Sequence, residues 1–171
     1  MKRLFTISMV LIFSFVAISG PQKEDTYAML KAVYIYNFTK NFDWPEKFKS
    51  GPFIIGVLGE SNIYDELTSK YSTKSVGKQK IEIKKFSNLS EVDYCHILFV
   101  SEGKSTATSS LAKQNTGTLI ISEKSGFLQQ GGVVNFVVVN SKLEFELSKT
   151  NASKYNLSVG SQLQNLAMSV E

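Results

Sequence analysis

The spacing of apolar residues changes several times along the chain, and each change marks an element. From Thr26 to Asn41, TYAMLKAVYIYNFTKN holds neither Pro nor Gly. It sets Leu30, Val33, Ile35 and Phe38 at the spacing of a buried helix face. Tyr27, Tyr34 and Tyr36 carry aromatic surface round to other faces, so the helix is expected to be buried on several sides or to meet a partner. It should end before Pro45, because a residue preceding proline disfavours helical geometry, leaving Trp44 and Pro45 as a rigid corner.

Next comes FIIGVLG, Phe53 to Gly59, a short branched apolar run bounded by turn formers, which suits a strand buried on both faces. Asn62 is the expected N-cap of a helix over IYDELTSKY. A strand at Lys80 to Phe86, the strand CHILFVS, a helix around Ser105 to Gln114 and a strand at Gly117 to Ser122 continue the alternation. Such alternation implies a largely parallel sheet with helices on its faces.

The last third breaks the pattern. VVNFVVVNSKLEFEL places two strand-like runs about Asn140-Ser141, the signature of an antiparallel hairpin. In the second arm Leu143, Phe145 and Leu147 alternate with Lys142, Glu144 and Glu146, which predicts an edge strand with one packed and one charged face. NASKYNL is a short helix or turn, and Ser161 with Gln164 forms a capping-box pattern for a final helix carrying Leu163, Leu166 and Ala167. The expected fold class is α/β: one domain over residues 26–171, with a largely parallel sheet flanked by helices, a C-terminal antiparallel β-hairpin and a final helix.

Composition agrees with a folded domain, at 43% hydrophobic and 20% charged residues with 12 Phe and 7 Tyr. The start is different: MKRLFTISMVLIFSFVAISG has Lys2 and Arg3 before an apolar run that ends in small residues, as in a secretory signal peptide over residues 1–19. About 15 apolar residues are short for an uncleaved membrane anchor, the alternative. Without Lys2 and Arg3 the net charge falls from +4 to +2, and the lysines form no dense stripe, so nucleic-acid binding has no support. A lone cysteine in an exported chain has no internal disulfide partner, so the core alone must hold the fold.

Cys95 and His96 are the single cysteine and the single histidine, side by side. Neighbours on a strand project to opposite faces, so they cannot act as nucleophile and base, and no second Cys or His offers an ordinary zinc site. Cys95 is expected to be a small buried residue, and His96 a hydrogen-bonded structural histidine or else a pH-sensitive contact. Gly56 and Gly59 lack dinucleotide-loop spacing, and Gly131-Gly132 precedes a strand, which suits a tight turn or bulge. There is no G-x-S-x-G elbow. Neither an enzyme, a metal nor a cofactor is expected.

LKAVYIYNFTKNFDWP, with Lys31, Ala32, Tyr36, Asn37, Phe38, Lys40, Trp44 and Pro45, resembles the opening signature of the YfiR-like periplasmic family. FIIGVLGES, CHILFVS, the hairpin from Gly126 to Glu146 and LSVGSQLQNLA resemble its later segments, so the likeness spans roughly Leu30 to Ala167. It implies an exported, non-enzymatic regulator. The namesake binds the periplasmic part of a membrane diguanylate cyclase and holds it inactive, which influences cyclic di-GMP signalling and biofilm formation; it also forms dimers, and it has disulfides. Cys95 has no partner for such a bond here. The expected partner is therefore the periplasmic domain of a membrane diguanylate cyclase or sensor kinase, with a homodimer open. The expected contact residues are Tyr27, Tyr34, Tyr36, Trp44, Leu163 and Leu166, since aromatic residues dominate binding hot spots. A small-ligand-binding protein is the other reading, with its pocket at the carboxyl ends of the parallel strands and polar contacts from Gly59, Glu60, Ser61, Asn135 and Glu146.

Overall fold

The computed structural model describes residues 27–107 and 117–171. Helix α1 spans Ala28–Asn41 and runs into the two-residue strand β1 (Phe42–Asp43). After a 3-10 turn at Glu46–Phe48 come β2 (Phe53–Leu58), α2 (Ile63–Tyr71), β3 (Ser75–Val76), β4 (Gln79–Phe86), β5 (Ile97–Val100) and β6 (Leu119–Ser122). The hairpin is β7 (Val134–Val139) and β8 (Lys142–Leu147), followed by α3 (Lys149–Lys154), β9 (Ser158–Val159), α4 (Ser161–Leu166) and β10 (Ser169–Val170). Of the expected helix around Ser105 to Gln114, the part up to Ala107 belongs to a 3-10 turn at Glu102–Ala107, and the rest of that expectation lies outside the described residues.

The main sheet has the order β10-β8-β7-β6-β5-β2-β4-β3, while β1 and β9 pair separately. Strands β4, β2, β5, β6 and β7 are mutually parallel, and the hairpin turns antiparallel at β8. This is the anticipated mixed α/β architecture. The central strands β5 and β6 are buried at every position, as continuous apolar runs flanked by parallel neighbours require.

In α1 the buried stripe is Ala28, Lys31, Ala32, Ile35, Phe38 and Thr39, a regular three-and-four spacing. The expected face was wrong at two positions: Leu30 and Val33 are exposed, at 43% and 37%, because the helix docks through the stripe that Ala28, Ala32 and Ile35 share with Phe38. Phe38 fills that contact, with Phe136 and Phe145 rings 6.1 and 5.4 Å away. Tyr36 joins α1 to α2 by stacking on Tyr71 at 4.3 Å.

The hairpin turn forms about Asn140 and Ser141 with φ of 49° and 61°, the left-handed pair of a type I′ turn whose twist matches the strands. Two flanking strands end at one rung of this hairpin. Ser122 of β6 pairs with Asn135, Ser169 of β10 pairs with Glu146, and Asn135 pairs with Glu146. Beyond that rung the hairpin continues as a two-stranded ribbon, held by a hydrogen bond that Met168 N–H donates to Phe145 O at 2.8 Å and by α1 through Tyr34, Phe38 and a hydrogen bond that Tyr27 Oη donates to Ser141 O at 3.2 Å.

Three local expectations are corrected. Strand β8 is no free edge over its whole length, since β10 adds to it in parallel at Glu146 and Leu147. Asn62 is the N-cap residue of α2, as expected, but its side chain makes no cap bond; Ser61 Oγ accepts instead from Ile63 N–H at 3.3 Å. Ser161 lies inside α4, whose N-cap is Gly160, and Gln164 donates to Val159 O at 3.0 Å. The Gly131-Gly132 turn is as expected: Gly131 has φ of 99°, and a Cβ on Gly132 would fall 2.0 Å from the Phe127 ring.

Candidate functional site

Cys95 and His96 are occupied by structural work. A Cβ on Gly56 would lie 2.7 Å from Cys95 Sγ, so the thiol fills the space that this glycine leaves open. Burial pushes the thiol up to about 12, which leaves it protonated and unreactive at neutral pH. His96 Nδ1 accepts from Ile54 N–H at 3.0 Å, and Nε2 lies 2.7 Å from Phe48 O. A backbone N–H can only donate and a carbonyl only accept, so the ring is the neutral Nε2–H tautomer. Burial holds its pKa below the ordinary 6.5, opposed by the Phe48 carbonyl. With the ring stacked on Phe53 at 4.3 Å, both nitrogens are spent on pinning the Pro45–Ser50 loop to β2.

The polar side chains that remain converge elsewhere. At the carboxyl end of β6, a cavity of about 400 Å³ is lined by Lys31, Glu123, Gln129, Asn135, Leu143 and Glu146, among others. They arrive from several elements, with Leu143 and Glu146 both on β8. Lys31 projects from the buried stripe of α1 and pairs with Glu123, which follows directly after β6. Asn135 and Glu146 are cross-strand partners, with Asn135 Nδ2 donating to Glu146 Oε2 at 3.0 Å. Asn135 is 1% exposed, and its Oδ1 accepts nothing among the described residues. A buried orphan acceptor costs about 1–3 kcal/mol, so this one is an anomaly in an otherwise satisfied sheet.

Of the five ligand-contact residues expected from the sequence, Asn135 and Glu146 thus come together at one cavity, level with the carboxyl end of β6 and the amino end of β7. Gly59, Glu60 and Ser61 do not join them, because β5 and β6 stand between β2 and β7. Gly59 N–H donates to Phe86 O at 2.8 Å, Glu60 accepts from Lys85 Nζ at 2.8 Å, and Ser61 caps α2. Lys31 and Glu123 escaped the sequence reading. A lysine three residues after Ala28 on the apolar stripe was the available signal for the first.

The expected partner contacts also divide. Trp44 and Leu163 are buried, at 6% and 3%, and belong to the core; Trp44 Nε1 donates to His96 O at 3.3 Å. Tyr34 is half-buried among Phe38, Phe136 and Phe145, and Tyr36 is half-buried against Tyr71. Tyr27 is half-buried beside the hairpin turn, whereas Leu166 is open at 60%.

Among the described residues no helix is long and apolar enough to cross a membrane, and no group of three His, Cys, Asp or Glu side chains could hold a metal ion. Fold and site together define an α/β domain with a ligand-sized polar cavity at the root of a protruding hairpin. A model of the YfiR/HmsC-like family matches residues 28–168, and the chain belongs to that family. No curated protein matches it. Among solved structures, the crystal structure of a conserved domain protein from Vibrio cholerae O1 biovar El Tor str. N16961 is similar, with a TM-score of 0.60 and 10% identity over 86% of this chain. The chain spans 61% of that protein's length, and the likeness is one of fold.

Proposed function

We propose that the chain is an exported periplasmic regulator, without catalytic activity of its own, that binds the periplasmic part of a membrane diguanylate cyclase and represses it. Less cyclic di-GMP and restrained biofilm formation would follow. Family membership and the signal-like run of residues 1–19 support this reading. The observation that carries it is a set of open apolar side chains on elements that meet around the hairpin's far end. Met29, Leu30 and Val33 on α1, Val138 and Val139 on β7, and Leu166 and Met168 near the C-terminus are all at least 37% exposed. Single exposed apolar residues are ordinary, but a concentration of them marks an interaction surface. Lys142 and Glu144 stand beside Leu166 and Met168 in a shallow depression, giving that surface a polar rim.

Capture from membranes with the exported chain, followed by identification of the retained proteins, should recover a diguanylate cyclase or a sensor kinase. A Leu30→Asp/Val138→Asp double variant should lose that partner by about tenfold or more while keeping its melting temperature. Recovery of neither class under several growth conditions overturns the proposal. Deletion of the gene should raise cellular cyclic di-GMP; recovery of a sensor kinase with no such rise would remove the cyclase from the reading.

A further inference from the structure

We infer that the cavity between α1, the end of β6 and the root of the hairpin is a binding site for a small organic amine, held by its protonated primary amino group. The orphan oxygen sets the chemistry. Exchanging O and N on the Asn135 amide would set an oxygen against the Glu146 carboxylate, so the carboxylate fixes the amide with Nδ2 toward Glu146 and Oδ1 as the free acceptor. The missing group is therefore a hydrogen-bond donor.

Charge narrows the donor. Among the described residues, the lining holds two carboxylates, Glu123 and Glu146, against the single cation Lys31, which is itself paired with Glu123. An anion would meet an uncompensated carboxylate, whereas a cation restores balance. Glu146 uses Oε2 on Asn135, and its Oε1 accepts nothing among the described residues. An ammonium presents three N–H groups, enough for Asn135 Oδ1 and Glu146 Oε1 with one to spare, and charge-assisted bonds of this kind are roughly twice as strong as neutral ones. A bare metal ion is disfavoured, since the described residues offer no group of three metal-ligating side chains. Val137, Val138 and Leu143 supply an apolar wall for the carbon chain behind the amino group. About 400 Å³ accommodates a molecule of amino-acid size.

Titration calorimetry and melting curves on the isolated chain test the site without any partner protein, so the outcome is independent of the regulator proposal. Butylammonium chloride should bind saturably at millimolar concentration and raise the melting temperature. Tetramethylammonium chloride carries the same charge but no N–H, and should do neither. Glu146→Gln should weaken butylammonium binding by about tenfold or more, and Asn135→Leu should abolish it while removing the orphan acceptor. In the unmodified chain, the Asn135 side-chain amide resonances should shift with the same saturation curve, a readout that does not depend on either variant folding. Equal responses to both cations, binding that survives both substitutions, or an unmoved Asn135 resonance at saturation would each overturn the inference.

Discussion

The region around β5 and the far end of the hairpin treat their polar and apolar groups in opposite ways. Around β5, His96 uses both ring nitrogens, Thr118 Oγ1 donates to Cys95 O at 2.7 Å, and Ser122 Oγ donates to Val100 O at 2.6 Å. Apolar side chains there are wholly enclosed. At the hairpin, Asn135 keeps an unused oxygen at the root while Val138 and Val139 face solvent at the tip. A fold that closes one region so completely leaves the other open to binding, with an unused amide oxygen and exposed valines on the same hairpin.

The largest effect should come from cutting into the closed region. Phe99→Ala on β5 should cost about 3–5 kcal/mol in urea denaturation, since Phe99 is fully enclosed. Val138→Ala, at 52% exposure, should stay within about 0.5 kcal/mol. Comparable losses would erase the contrast. Next, the native Cys95 thiol should react with a maleimide or disulfide probe about a thousandfold more slowly than an unfolded one, given a thiol pushed from 9.0 to about 12. Rapid labelling without denaturant would show that β5 is not closed.

A smaller effect is the response to acid. The folded pKa of His96 is depressed, so its contribution to stability is present above the unfolded value near 6.5 and is lost as pH falls below it toward the lower folded value. Urea melts between pH 7 and about pH 5 should therefore fall more steeply for the native chain than for His96→Gln. Parallel slopes would mean that the imidazole is not held neutral. The smallest effect lies at the hairpin turn: Ser141→Gly relieves a left-handed backbone at φ of 61° and should add about 0.5–1 kcal/mol of stability.

The sequence made the strands legible because a strand's neighbours leave a local imprint. β5 and β6 showed as short continuous apolar runs, and β8 as strict alternation, and each lies where the pattern put it. Helix docking left no such imprint. Nothing local says that α1 turns Ala28 and Ala32 inward and Leu30 outward, because that choice depends on which distant residues the rest of the fold sets against the helix. The cavity was half legible for the same reason. Asn135 and Glu146 sit opposite one another in a hairpin whose register a short turn fixes, whereas Lys31 and Glu123 meet across 92 residues of chain. Trp44 misled because an aromatic residue beside proline looks the same whether it caps a core or greets a partner.

The rung at which β6 and β10 both stop has a mechanical consequence. An isolated two-stranded ribbon is barely stable in water, so the segment past Asn135 and Glu146 is a cantilever whose stiffness is borrowed from α1 and from the chain at Met168. Its four-residue arm extends roughly 14 Å from that pivot, by about 3.4 Å per residue. Whatever grips the tip therefore works with leverage on the one rung where an amide oxygen waits unbonded, and whatever fills the cavity stiffens the arm at its hinge.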